Sequence, residues 1–142
     1  MEIKVKIITP EKVVYKGKAY QITLPVSDGQ ITILPNHRSY IASLKAGEVL
    51  TKNKENKEIE YLAITGGFVE FHKNNLIILS DAAERAEEIN VEEAEKARKR
   101  AEDLMQRKIT DEKEYAKVAA ALEMELIKIR VAKKYLKKKG VI

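Results

Sequence analysis

The sequence predicts a two-part chain: an N-terminal antiparallel β-sandwich or barrel followed by a C-terminal antiparallel two-helix hairpin. Three observations predict it. Up to residue 79, apolar residues recur in period two, and all three prolines and five of the six glycines lie there. Beyond residue 90 there is no proline and the only glycine is Gly140. That second stretch is rich in Ala, Glu, Lys and Arg and reads in period 3.6. The stretch Leu79–Asn90 separates the two patterns, and the expected boundaries are 1–86 for the sandwich and 87–142 for the hairpin.

In the first part, Glu2 to Ile8 alternates with Ile3, Val5 and Ile7 on one face, and Thr9-Pro10-Glu11 is a turn. Val13 to Tyr15 reads as a strand broken by Gly17. Tyr20 to Pro25 alternates, and Val26-Ser27-Asp28-Gly29 turns into a short strand, Ile31 to Leu34, ended by Pro35-Asn36. Further strands are expected at Tyr40 to Leu44, Glu48 to Thr51, Glu60 to Thr65, Phe68 to His72 and Leu76 to Leu79, the last of the set. A charged loop at 52–57 and a turn at Lys73-Asn74-Asn75 join them. Gly66-Gly67 reads as a bulge or tight bend. A phosphate cradle would need a helix to follow, and a strand follows instead. Strands this short and close in sequence suit a sandwich or barrel.

In the second part, Asn90 with Glu93 resembles a capping box, and Glu92, Glu93 and Glu95 lie in or next to the first turn, where the helix dipole favours anions. The apolar stripe is Val91, Ala94, Ala97, Ala101 and Leu104, with Met105 beside it. Alanine permits close approach but buries little area, at about 25 cal/mol per Å². Asp111 with Glu114 repeats the cap, and a helix to about Lys138 is expected, stopped by Gly140. A turn near 107–111 makes the pair antiparallel. The second helix carries two apolar rows: Tyr115, Val118, Ala119, Leu122, Leu126, Ile129 and Leu136, and Ala121, Met124, Ile127, Val131 and Tyr135. That surface is wider than the alanine stripe covers, so a further partner is expected.

Composition narrows the chemistry. The 142 residues hold no cysteine and only His37 and His72, which excludes disulfides and argues against a histidine-based metal site. No apolar run approaches the roughly 20 residues of a membrane span. The N-terminus alternates like a strand, unlike a signal peptide, so a chain of a reducing compartment without a targeting segment is expected. The net charge is +5, and residues 128–142 hold seven basic groups (Lys128, Arg130, Lys133, Lys134, Lys137, Lys138, Lys139) and no acid. Three readings stay open for this tail: a solvated helix end, a contact for an acidic protein surface, and, with no supporting motif, nucleic acid. A membrane surface is disfavoured by the lack of Trp or Phe opposite the basic cluster. His37 beside Arg38 follows a Pro-Asn turn with no Ser, Cys or carboxylate pattern near it, so binding suits that loop better than catalysis.

The order of motifs is more specific than any one of them. Thr9-Pro10-Glu11, Leu34-Pro35-Asn36-His37, Gly66-Gly67-Phe68 and Asp81-Ala82-Ala83-Glu84-Arg85-Ala86 occur in sequence, and a helical pair follows. Nearly the whole chain resembles the epsilon subunit of the bacterial F-type (rotary) ATP synthase. The resemblance implies a flattened antiparallel β-sandwich before the helical hairpin, and a non-catalytic central-stalk subunit seated on the gamma subunit and touching the c-ring. It implies helices that extend toward the alpha and beta subunits and restrain ATP hydrolysis. It implies a position on the cytoplasmic face of the bacterial inner membrane, peripheral to it through the complex, with no nucleic acid bound. The turn Asp28-Gly29-Gln30-Ile31 matches the family's c-ring loop, and His37 with Arg38 the loop facing gamma. Lys128, Arg130, Lys133, Lys134, Lys137 and Lys138 match the inhibitory basic helix, and with no acid in residues 128–142 these positive groups are expected to stand unpaired. Thr32 and Asn36 stand where many members have glycine.

Some members bind ATP between the helices through an Ile/Leu-Asp-x-x-Arg-Ala motif. Here the aligned residues are Ile89-Asn90-Val91-Glu92-Glu93-Ala94, with Glu84 and Arg100 kept from the wider site. A carboxylate in place of the guanidinium removes a phosphate donor and adds like charge. No cofactor is therefore expected, with ATP bound weakly or not at all. The alternatives are an ATP-sensing switch in the same assembly and a stand-alone β domain with a basic helical module.

Overall fold

The computed structural model describes residues 1–107 and 109–140. Lys108, within the expected turn, and Val141 and Ile142, at the end of the expected hairpin, lie outside the described residues. The chain divides into two compact units, Met1–Ala86 and Glu87–Ile142.

The first unit contains β1 (Ile3–Ile8), β2 (Val13–Ala19), β3 (Gln21–Val26), β4 (Gly29–Ile33), β5 (Tyr40–Leu44), β6 (Gly47–Lys52), β7 (Glu58–Ile64), β8 (Gly67–His72), β9 (Asn75–Leu79) and β10 (Ala83–Arg85). They form two five-stranded sheets, ordered β2-β1-β9-β8-β5 and β10-β7-β6-β3-β4. Alternation places Ile3, Val5, Ile7, Leu44, Val69, Phe71, Leu76 and Ile78 of the first sheet and Ile22, Leu24, Ile33, Val49, Leu62 and Ile64 of the second in one core.

Three expectations about this unit change, and one about the second helix. The strand through Tyr15 does not stop at Gly17; it continues to Ala19, and Gly17 pairs with Val5. The missing Cβ leaves room there for the Tyr15 ring. The ladder between β1 and β9 is parallel, although every other pairing is antiparallel. Leu79 does not end the last strand, because β10 follows and pairs antiparallel with β7. The cap of the second helix also differs, as described below.

Strand β10 has the composition of a helix, and tertiary contacts override that propensity. Thr65 and Ala82 exchange hydrogen bonds: the Thr65 amide donates to the Ala82 carbonyl at 3.1 Å, and the Ala82 amide to Thr65 Oγ1 at 3.1 Å. Buried Ser80 donates through Oγ to the same carbonyl at 2.9 Å. Arg85 then forks onto Glu60, with Nε to Oε1 at 2.7 Å and Nη2 to Oε2 at 3.2 Å, and its guanidinium lies 5.8 Å from the Tyr15 ring centre. Burial, with the charge of Glu60 added, holds the Tyr15 hydroxyl above its ordinary pKa.

The second unit follows a 3-10 turn at Ala86–Glu88 and comprises α1 (Val91–Gln106) and α2 (Glu112–Lys138). Asn90 Oδ1 accepts from the Glu93 amide at 3.1 Å, as the capping pattern requires. Asp111 Oδ1 accepts from the Lys113 amide at 2.9 Å, one residue earlier than the Asp111–Glu114 spacing suggested. Gly140, at φ +75°, closes α2, with its amide on the Lys137 carbonyl at 3.1 Å. The helices are antiparallel: Glu95 near the start of α1 meets Lys133 near the end of α2 at 3.6 Å.

Gly67 has φ +131°, and a Cβ there would collide with the Leu79 carbonyl oxygen. Gly67→Ala is therefore expected to cost about 2 kcal/mol or more. Urea denaturation of the full chain measures the shift, and unchanged stability would mean that the β8–β9 strands can part there freely.

Candidate functional site

The candidate sites of the first unit lie on loops and outward faces rather than in a cavity of converging acids and bases. The β3–β4 hairpin is tight, with Val26 paired to Gly29 and Ser27-Asp28 at its tip. Gly29 takes φ +128°. Asp28 and Gln30 are exposed, and Gly29 and Ile31 half-buried. Thr32, in glycine's place, needs no special backbone: it is extended in β4, and its hydroxyl meets that of Thr23 across the ladder at 3.0 Å.

The chain leaves β4 at its other end and crosses to the opposite sheet through residues 34–39. Asn36 sits at φ +67°, a conformation glycine adopts freely and asparagine tolerates. Its amide donates to Asn74 Oδ1 at 2.6 Å, and Asn74 Nδ2 donates back to Asn36 Oδ1 at 3.1 Å. Lys73 and Asn74, both at positive φ, form the two-residue β8–β9 turn. His37 stands edge-on to Tyr40 and Phe71, at 6.1 and 5.9 Å between ring centres, with Nδ1 2.7 Å from the Arg38 carbonyl. It is a packed loop residue beside exposed Arg38. Asp28–Ile31 and His37–Arg38 are therefore not brought together; they flank opposite ends of β4.

Sequence reasoning missed the outward face of the sheet β2-β1-β9-β8-β5. The registers arrange it in three rows across the strands: Lys18, Lys4, Asn75 and His72; Lys16, Lys6, Ile77, Glu70 and Ile41; Val13, Ile8, Leu79, Phe68 and Ser43. Ile41 is 75% exposed, Phe68 61% and Leu79 52%. Leu79 and Phe68 also line a hollow of about 360 Å³ with Thr9, Pro10 and Asp81. A signal was present: the unbroken apolar run Leu76-Ile77-Ile78-Leu79 makes both faces of β9 apolar.

In the second unit, the basic positions are not all unpaired. Lys128 lies 3.6 Å from Glu125 and Lys133 3.6 Å from Glu95, while Lys139 sits over the Tyr135 ring at 5.6 Å. Lys134 and Lys138 also have partners. Helical periodicity brings acids from the preceding turn, and from α1, to these cations. Arg130 and Lys137 are exposed. Of the nucleotide-motif positions, Asn90 is occupied in capping Glu93 and exposed Glu93 lies 3.9 Å from Lys96. Ile89 and Ala94 are buried and Arg100 exposed; Glu84 stands in the first unit, on β10. The guanidinium fixed nearby is Arg98, forked between Glu95 at 2.9 Å and Glu102 at 2.7 Å. No group of metal-ligating side chains occurs among the described residues.

A sandwich with an uncovered apolar face, followed by a hairpin with a basic end, defines an interaction module. Residues 2–86 match the family model for the beta-sandwich domain of the ATP synthase delta/epsilon chain, and residues 87–133 match its long alpha-helix domain. The ATP synthase epsilon chain of Lactobacillus gasseri is 34% identical over 137 residues, covering 94% of each chain. That of Moorella thermoacetica is 38% identical over 130 residues, covering 92% of this chain and 96% of its own. The fold resembles a chain of the Euglena gracilis mitochondrial ATP synthase, with TM-score 0.73 and 22% identity over 88% of this chain and 78% of that one. The chain belongs to the epsilon-chain family of the ATP synthases. It is an accessory subunit of that membrane-associated complex and not its catalytic part; no described helix is long and apolar enough to cross a membrane.

The left-handed conformation and amide exchange at Asn36 yield a graded expectation. Asn36→Ala should lose about 1–2 kcal/mol, and Asn36→Gly, which keeps the backbone freedom, clearly less. Denaturation midpoints of the two variants check this ordering.

Proposed function

We propose that the chain is a central-stalk subunit that couples the catalytic head to the c-ring and restrains ATP hydrolysis through its helices. The observation that carries this reading is the match of both units, in order, to the delta/epsilon domains. The exposed Ile41, Phe68 and Leu79, with the neighbouring His37–Arg38 loop, suit burial against gamma. The Asp28–Ile31 hairpin, at the other end of β4, suits a separate contact with the c-ring. The complex then lies on the cytoplasmic face of a bacterial membrane.

The hairpin suits a mobile inhibitory arm. Its α1 seam relies on small residues, with Ala94 and Ala101 buried and Leu104 left 41% exposed. Separation of the helices would free Lys133 from Glu95 and would offer the buried Ile127, Ile129, Val131 and Ala132 of α2 to a new partner surface. The basic positions Lys128, Arg130, Lys133, Lys134, Lys137 and Lys138 would then face an acidic segment of beta.

Cutting the chain after Glu88 in the assembled complex should raise ATP hydrolysis several-fold while gamma binding persists. Hydrolysis unchanged by the cut would remove the inhibitory half of the reading. No ATP binding, or weak binding only, is expected, because Asn90 serves as a cap and Glu93 offers phosphate a like charge. Isothermal titration of the full chain with ATP should show no micromolar affinity; micromolar binding would establish the ATP-sensing alternative.

A further inference from the structure

The outward face of the sheet β2-β1-β9-β8-β5 carries a charge arrangement that the fold does not need. Lys4 pairs directly with Lys18, and Lys6 with Lys16, across the β1–β2 ladder. Rows on one face repeat every two residues, roughly 7 Å apart, and strands lie about 4.8 Å apart. Four ammonium stems thus rise from a rectangle whose sides are each shorter than the Debye length at physiological salt, about 8 Å. Like charges directly opposite one another destabilise a sheet. The four lysines, with Val5, Gly17, Asn75, Leu76 and Ile77, line a shallow groove of about 640 Å³ that contains no carboxylate. Two acids share the face outside the groove: Glu70 lies beyond Ile77 in the row of Lys6, and exposed Glu2 precedes Lys4 by two residues.

Protection of a sheet edge accounts for Lys16 and Lys18 on the edge strand β2. It does not account for Lys4 and Lys6, because β1 is interior, between β2 and β9. The lysine rows are also continuous with the exposed apolar residues: Lys6 is followed across the sheet by Ile77, and Ile41 lies beyond Glu70. One partner surface laid on Ile41, Phe68 and Leu79 would extend over the lysines.

We propose that Lys4, Lys6, Lys16 and Lys18 dock a carboxylate-rich strip on the protein surface that covers the apolar part of this face. The inference rests on the assignment of that surface to gamma and adds its charge. Paired carboxylates would relieve the two lysine–lysine contacts on assembly, so the quartet steers association and fixes the register of the sandwich on its partner.

The double variant Lys16→Glu, Lys18→Glu tests this, because it replaces both like-charge pairs with opposite-charge pairs and should fold at least as stably as the parent. Association of the full chain with purified gamma is followed over a range of salt concentrations. The variant should associate about tenfold or more slowly at low salt, with a flatter salt dependence. The control Lys54→Glu, Lys57→Glu makes the same change in net charge at the β6–β7 loop and should have a much smaller effect. Equal slowing by both variants would reduce the effect to net charge and overturn the proposal. So would association like the parent's in the first variant. Phe68→Ser separates the two levels: if it binds gamma as the parent does, the underlying assignment falls and the proposal with it. If it weakens binding while Lys16→Glu, Lys18→Glu does not, only the lysine docking falls. Binding to anionic phospholipid vesicles that this variant abolishes, with gamma association intact, would overturn the proposal in favour of a lipid surface.

Discussion

The fork of Arg85 onto Glu60 determines where one unit ends and the next begins. The chain leaves β9 in one sheet and must reach the helices, and it does so along the edge of the other sheet. Three residues of strand are a weak ladder on their own. A partly buried, two-pronged ion pair, reinforced by the Thr65–Ser80–Ala82 hydrogen bonds, makes that short strand part of the sandwich. Removal of either partner would leave the other charge poorly compensated. The sandwich unit therefore runs through Ala86, and the helical unit starts at Glu87.

Much of the sandwich was legible because one face of each strand is buried and period two follows directly from that. Tyr40–Leu44 matches its strand end to end. The reading failed where a neighbour, not the residue's own preference, decided the outcome. Ala83-Glu84-Arg85 favours helix locally, yet the free edge of β7 and the carboxylate of Glu60 recruit it as a strand. Gly17 ends a strand by propensity, yet the ring of Tyr15 occupies the space its side chain would have filled. The positive groups of α2 stand without acids in their own stretch of sequence, but Glu125 one turn earlier and Glu95 on the other helix reach Lys128 and Lys133.

The candidate surfaces were legible in part. The β3–β4 turn and the His37 loop are marked by Asp-Gly and Pro-Asn, which locate turns by their backbone chemistry. That they lie at opposite ends of one strand follows only from the topology. The amphipathic outward face is harder to read, because alternation marks the buried face and carries no information on how the off-phase residues Ile41, Phe68 and Ile77 line up across the strands. Lys4 and Lys16 look like ordinary solvated charges in sequence; only the register between β1 and β2 sets them against Lys18 and Lys6.

The parallel ladder between β1 and β9 bears on how the chain is made. Lys4 pairs with Asn75 and Ile8 with Leu79, so the first strand has one neighbour close behind it and another almost at the end of the unit. During synthesis β1 can find β2 early, but its apolar inner face and one backbone edge stay open until residue 79 has emerged. Such a long closure slows folding in a way that the local contacts of a helical hairpin do not. The interval before β9 arrives is when the nascent sandwich is most exposed to mispairing, and it is the period in which a chaperone at the exit tunnel would have most to shield.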